Sequence, residues 1–119
     1  MPKHLTVEQQ QRYARDGFVA PIDIFTADEI TDIRAEIEAA ESRWPNALDG
    51  AGRNNGHLAL PVLDRIIHDS RILDAVEDVI GGDILVAGST LFIKEPSSGG
   101  FISWHQDVRN AGMEPQEWV

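Results

Sequence analysis

Residues 84–94 restrict the folds open to this chain more than any other stretch. They run Ile84-Leu85-Val86-Ala87-Gly88-Ser89-Thr90-Leu91-Phe92-Ile93-Lys94. The run is short, mostly apolar and rich in β-branched residues, which is the pattern of a strand buried on both faces. Such a strand needs neighbours along both edges and cover on both sides. The rest of the chain offers little of either. A turn signal, Ser97-Ser98-Gly99-Gly100, is followed by a second extended piece, Phe101-Ile102-Ser103-Trp104-His105-Gln106-Asp107. A third starts at Glu117-Trp118-Val119, where the 119 residues end. Helices first and strands after predict an α+β layout.

The helices are read from caps and apolar spacing. Thr6-Val7-Glu8-Gln9 fits a capping box and predicts a helix over residues 6–16, stopped by Gly17. Thr26-Ala27-Asp28-Glu29 is a stronger box for a helix over residues 26–43. Ile30, Ile33 and Ile37 give that helix one apolar stripe, and Phe25 is placed to staple onto Ile30. Residues 45–56 turn to Asn, Gly, Asp and Ala and read as a mobile loop. Pro61 suits the first turn of a third helix, with Val62, Leu63, Ile66 and Ile67 inward. Ser70 is the expected cap of a fourth, which buries Ile72, Leu73, Val76, Val79 and Ile80 and ends at Gly81.

Composition narrows the partners. Net charge is −10, with 10 basic against 20 acidic residues. Phosphates of nucleic acid or of an anionic membrane would be repelled by this surface, so both are poor partners. The acidity itself reads as a solvated face. No apolar run reaches the roughly 20 residues that span a bilayer. The polar start Met1-Pro2-Lys3-His4 is not a signal peptide, and zero cysteines exclude disulfides and thiolate metal sites. The expected setting is cytoplasmic. His4 lies in a terminus expected to fray, and His68 at a helix end, where a positive imidazole suits the dipole.

The chemistry concentrates at His105 and Asp107. Two positions apart on an extended segment, they point to the same side. On the residues alone two readings stand. One is a strand histidine hydrogen-bonded to a neighbouring aspartate. The other is two legs of the two-His-one-carboxylate site of non-haem Fe(II) oxygenases, whose third leg is a distant histidine. A hydrolytic His/Asp metal site is a further option, which a preference for Zn(II) would reveal. Trp104, by alternation, belongs to the opposite face and reads as core.

The longer context resembles the phytanoyl-CoA dioxygenase family of Fe(II)- and 2-oxoglutarate-dependent oxygenases. The matching residues are Tyr13-Ala14-Arg15-Asp16-Gly17-Phe18-Val19, then Ile72 to Gly81, then Phe92-Ile93-Lys94-Glu95-Pro96, then His105-Gln106-Asp107. The resemblance implies Fe(II) held by His105 and Asp107, 2-oxoglutarate as co-substrate and, optionally, ascorbate. It places Thr90 against the 2-oxoglutarate, and Lys94, four residues on and on the same face, is a second candidate for that anion. Asn54-Asn55-Gly56-His57-Leu58 resembles a family segment that approaches the mouth of the site. Asp107, where a halogenase would carry Ala or Gly, points to a hydroxylase lineage.

The resemblance also implies a fold and a shortfall. The expectation is a set of N-terminal helices, over about residues 1–82, packed on the first strands of an incomplete double-stranded β-helix (a cupin-like jelly roll) over about residues 83–119. A full jelly roll needs about eight strands. The family's second iron histidine and its 2-oxoglutarate arginine lie on later strands; Arg109 is too close to the metal pair to substitute. The chain therefore reads as a truncated N-terminal portion of marginal stability, with exposed edges that favour an edge-strand homodimer. The alternative is a non-catalytic remnant or protein-interaction module.

Overall fold

Thr6 and Thr26 each begin a helix as their spacing predicts, in a computed structural model that describes residues 2–44, 48, 53–94 and 96–105. Helix α1 spans Val7–Asp16 and α2 Ala27–Arg43. In the first, Gln9 N donates to Thr6 Oγ1 at 3.1 Å while Thr6 N donates to Gln9 Oε1 at 2.8 Å. In the second, Glu29 and Thr26 make the same exchange at 3.2 and 2.7 Å. Each box satisfies two N–H groups that the first helical turn leaves without partners. Gly17 ends α1 at φ 79°, a left-handed conformation that glycine reaches without steric cost. Most of the loop expected over residues 45–56 lies outside the described residues.

A 3₁₀ turn, Gly56–Leu58, leads into α3, Pro61–Ile67, and then α4, Ser70–Ile80. Proline opens α3 as predicted. The cap of α4 is Asp69 rather than Ser70, its carboxylate accepting from Arg71 N at 2.9 Å. An ionised acceptor is the better partner for a helix N-terminus, and it displaces the predicted serine by one residue.

The core is small. Leu48, Leu60, Val62 and Leu63 are buried together, with Ile33, Ile37, Ile66 and Leu91 packed on them. Ile30 does not share this burial; it is 49% exposed. Phe25 carries the Arg71 guanidinium 4.8 Å from its ring centroid. In α4 only Ala75 is buried, and the expected core residues Ile72, Leu73, Val76, Val79 and Ile80 are half-buried. Nor do residues 3–5 fray. The amides of Lys3, His4 and Leu5 all donate to the Asp78 carboxylate of α4, and Leu5 is 2% exposed. No helix among the described residues is long and apolar enough to cross a membrane.

The predicted α+β jelly roll is overturned. Among the described residues there is no strand. Residues 84–94 make one isolated antiparallel bridge, Thr90 with Asn54, and Leu85 and Phe92 stay 86% and 77% exposed. The physical reason is that β-propensity favours an extended backbone, whereas a ladder also requires a second segment in register. The described residues supply only Arg53–Asn55 as that second segment, and the result is a helical unit with an extended tail. The third piece at Glu117-Trp118-Val119 lies outside the described residues.

The Arg71 network links α2 to α4 and sets an acid limit. Arg71 makes a two-pronged contact with Asp69 at 2.9 and 2.7 Å and reaches Glu29 at 2.9 Å. The Arg71 hydrogen bonds outweigh desolvation and lower the Asp69 carboxyl from 3.8 to about 2. A carboxyl lowered on folding adds stability above its unfolded value and loses it as pH falls through the folded one. Thermal melts of the parent chain therefore fall between pH 4 and about pH 2. Asp69→Asn keeps a good capping residue but removes the charge. Its melting temperature changes less across that interval, and an unchanged slope would show that Asp69 is not the titrating group.

Candidate functional site

Three of the expected site residues fall on described backbone, in two places. His105 is exposed, and its Nδ1 lies 2.8 Å from the carbonyl oxygen of Ser103. A carbonyl only accepts, so Nδ1 carries a proton, and in the neutral imidazole the lone pair falls on Nε2. Metal-binding imidazoles make this same contact, which fixes the tautomer and ring orientation. His105 thus fits one nitrogen position of an iron site. Asp107, with Arg109, lies outside the described residues. Among the described residues no group of three or more His, Cys, Asp or Glu is arranged to hold a metal. Trp104, expected in the core, is fully exposed, because no facing layer among the described residues covers this segment.

Thr90 and Lys94 do come together, on a cavity of about 370 Å³. Its floor is the crossing of residues 89–91 over residues 53–55. Asn55 N donates to Ser89 O at 2.6 Å and Leu91 N to Arg53 O at 3.0 Å. Thr90 Oγ1 donates to Asn54 Oδ1 at 3.0 Å. That commits the hydroxyl proton, so a carboxylate approaching Thr90 would compete with Asn54. Phe92, Phe101 and Ile102 form the apolar side.

Charge sets this cavity apart. Its titratable lining residues are Arg53 and Lys94, both cationic, and no described carboxylate lines it, in a chain of net charge −10. A cavity of about 340 Å³ between α2, α3 and α4 shows the contrast. There Glu29, Asp32, Glu36 and Asp69 face Arg65 and Arg71, so acidic groups outnumber basic ones. Of the two, the cavity lined by Arg53 and Lys94 suits a small anion.

Arg53 was not foreseen as a site residue, since residues 45–56 read as a loop, whereas Asn54 belongs to the segment whose resemblance placed it near the mouth of the site. The usable signal was an arginine beside Asn-Asn-Gly in an acidic chain. Their pairing with residues 89–91 is long-range and leaves no local mark. His57 lies half-buried beside this crossing, with Nδ1 2.6 Å from Ser89 Oγ. His68 is exposed at the end of α3, its Nδ1 2.9 Å from Asp64 O.

The phytanoyl-CoA dioxygenase profile matches residues 13–118, nearly the whole chain. The chain belongs to the phytanoyl-CoA dioxygenase family. Named relatives agree. An ectoine dioxygenase of Bordetella parapertussis is 29% identical over 121 residues, 92% of this chain and 39% of that protein. An ectoine dioxygenase of Stutzerimonas stutzeri is 28% identical, over 92% of this chain and 40% of its own. A "probable alpha-ketoglutarate-dependent hypophosphite dioxygenase", also of Stutzerimonas stutzeri, is 25% identical over 84% of this chain and 41% of its own. This phytanoyl-CoA dioxygenase family member spans about two fifths of the length of the curated relatives it matches. No solved structure matches it.

Proposed function

We propose that this chain carries the first part of an Fe(II)- and 2-oxoglutarate-dependent hydroxylase site acting on a small molecule. The observation that carries this reading is the cavity in which Arg53 and Lys94 are the titratable residues. 2-Oxoglutarate is a dianion, and two cations beside one apolar wall suit its carboxylates and its methylene chain. The name of one relative, alpha-ketoglutarate-dependent, supports the same co-substrate.

In this reading Arg53 and Lys94 bind the anion and orient it, with Phe92 and Phe101 along its methylene chain. His105, through Nε2, and Asp107 would hold ferrous iron. The Ser103 carbonyl keeps the His105 proton on Nδ1 and so keeps Nε2 a ligand. When bound, the iron supplies the dioxygen chemistry, which couples conversion of 2-oxoglutarate to succinate and CO2 with oxidation of a substrate C–H bond.

Calorimetric titration of 2-oxoglutarate in the presence of Mn(II) tests the reading. The expected result is saturable binding that Arg53→Gln and Lys94→Gln each weaken by about tenfold, the scale of one charge-assisted hydrogen bond. Absence of binding by the parent chain, or variants that bind as well as it does, would remove the proposal. A second reading, a protein-interaction module, draws on the exposure of Phe92, Phe101 and Trp104. Succinate release above an iron-only blank separates the two, because an interaction module turns over no 2-oxoglutarate.

A further inference from the structure

We infer that His57 is a positioning residue. Through Ser89 it holds residues 89–91 in register against residues 53–55, and so keeps Arg53, Thr90 and Lys94 on one cavity. The inference rests on reading that cavity as the 2-oxoglutarate site.

The crossing is short for the task it performs. Its backbone bonds are Asn55 N to Ser89 O and Leu91 N to Arg53 O, around one bridge. An antiparallel contact of this length is weak without further support. Its register is also weakly specified, and a slip of one residue turns every side chain to the other face. Such a slip would take Thr90 and Lys94 off the cavity together.

Side chains supply the missing specification. His57 Nδ1 reaches Ser89 Oγ at 2.6 Å, across 32 residues of chain. Asn55, left-handed at φ 54°, turns its Oδ1 toward Ser89 N at 3.4 Å. Ser89 is thus gripped at its hydroxyl, its N–H and its carbonyl by residues 55–57. The alternatives on either side are poor. Gly88 has no hydroxyl to offer the imidazole. A Cβ at the Gly88 position would lie 3.1 Å from Asn55 Oδ1, tighter than ordinary contact. A slip that put Gly88 in the place of Ser89 would therefore lose the His57 bond and bring the Ala87 Cβ against Asn55, and the opposite slip would bring the Ser89 Cβ there. The hydroxyl serves as donor to a neutral imidazole or acceptor from an N–H, so the tie does not depend on one tautomer.

The test uses the full chain with His57→Ala, Ser89→Ala, the double variant and His57→Asn, whose amide reaches about as far as Nδ1. Two quantities are read: hydrogen exchange at the Asn55 and Leu91 amides, and 2-oxoglutarate affinity with Mn(II). Each alanine variant is expected to speed exchange at those two amides by about tenfold while the α4 amides keep their rates. Each weakens 2-oxoglutarate binding by about fivefold, a little less than loss of one full hydrogen bond. The double variant does no more than either single, as two halves of one contact must. His57→Asn recovers both quantities. Weaker binding with unchanged exchange would overturn the inference, since His57 would then act on the ligand directly. Faster exchange throughout α3 and α4 would also overturn it, showing a general loss of fold. If the parent chain takes up no 2-oxoglutarate while His57→Ala still loosens the two amides, the cavity reading fails and the clamp stands.

Discussion

Leu63→Ala is expected to lower the unfolding free energy by about 2–5 kcal/mol, the usual cost of removing a buried leucine side chain. Leu63 belongs to a cluster of four buried residues on which Ile33, Ile37, Ile66 and Leu91 pack. The cavity would open beneath the 3₁₀ turn, because Gly56 faces this side chain directly. A Cβ at position 56 would lie 2.8 Å from Leu63 Cδ1, inside any real contact. Gly56→Ala alone should therefore cost about 1–3 kcal/mol by overpacking. The two changes compensate. With Leu63 shortened, the methyl added at position 56 enters space that the leucine has left. The double variant should lose clearly less than the sum of the singles in urea denaturation. Strict additivity would show that residues 56 and 63 do not touch.

Asp78→Asn should release the N-terminal segment. Three successive amides, Lys3, His4 and Leu5, donate to this one carboxylate at 2.7–3.0 Å. Desolvation pushes the Asp78 carboxyl up, but the amides of His4, Lys3 and Leu5 together outweigh it and hold the group below its ordinary 3.8. The stability it adds is present above pH 3.8 and is lost as acid protonates it at lower pH. An asparagine offers one carbonyl oxygen and no charge, so at most part of the set survives. The Leu5 amide should exchange about tenfold faster in the variant at neutral pH, and parent and variant should converge in acid. Equal protection of Leu5 in both chains at neutral pH would show that apolar packing, not the carboxylate, holds the segment.

The helical part was legible because its determinants are local. Thr6 with Gln9, Thr26 with Glu29, Pro61, Gly17 and Gly81 each act within a turn of the position they mark. The one misplaced cap, Ser70 for Asp69, traces to Arg71, which organises that corner from both α2 and α4. The family was legible in the order of its motifs, and the match over residues 13–118 agrees with that reading. The cationic cavity was half legible. Thr90 and Lys94 share a face by simple alternation, but Arg53 and Asn54 arrive from a segment that has no periodicity to read.

By itself the sequence determined where helices begin and end and which family the chain joins. Those outcomes depend on bonds closed within four residues, or on residue identities in order. Only the tertiary structure decided the fate of residues 84–94, the seating of the N-terminus and the walls of the cavity. Each of these depends on a partner far along the chain: 73–75 residues for Asp78, 36 for Thr90 with Asn54 and 32 for His57 with Ser89. An apolar, β-branched run specifies an extended backbone and a wish for neighbours. Whether it becomes a strand depends on a second segment meeting it in register, and no residue within the run encodes that segment.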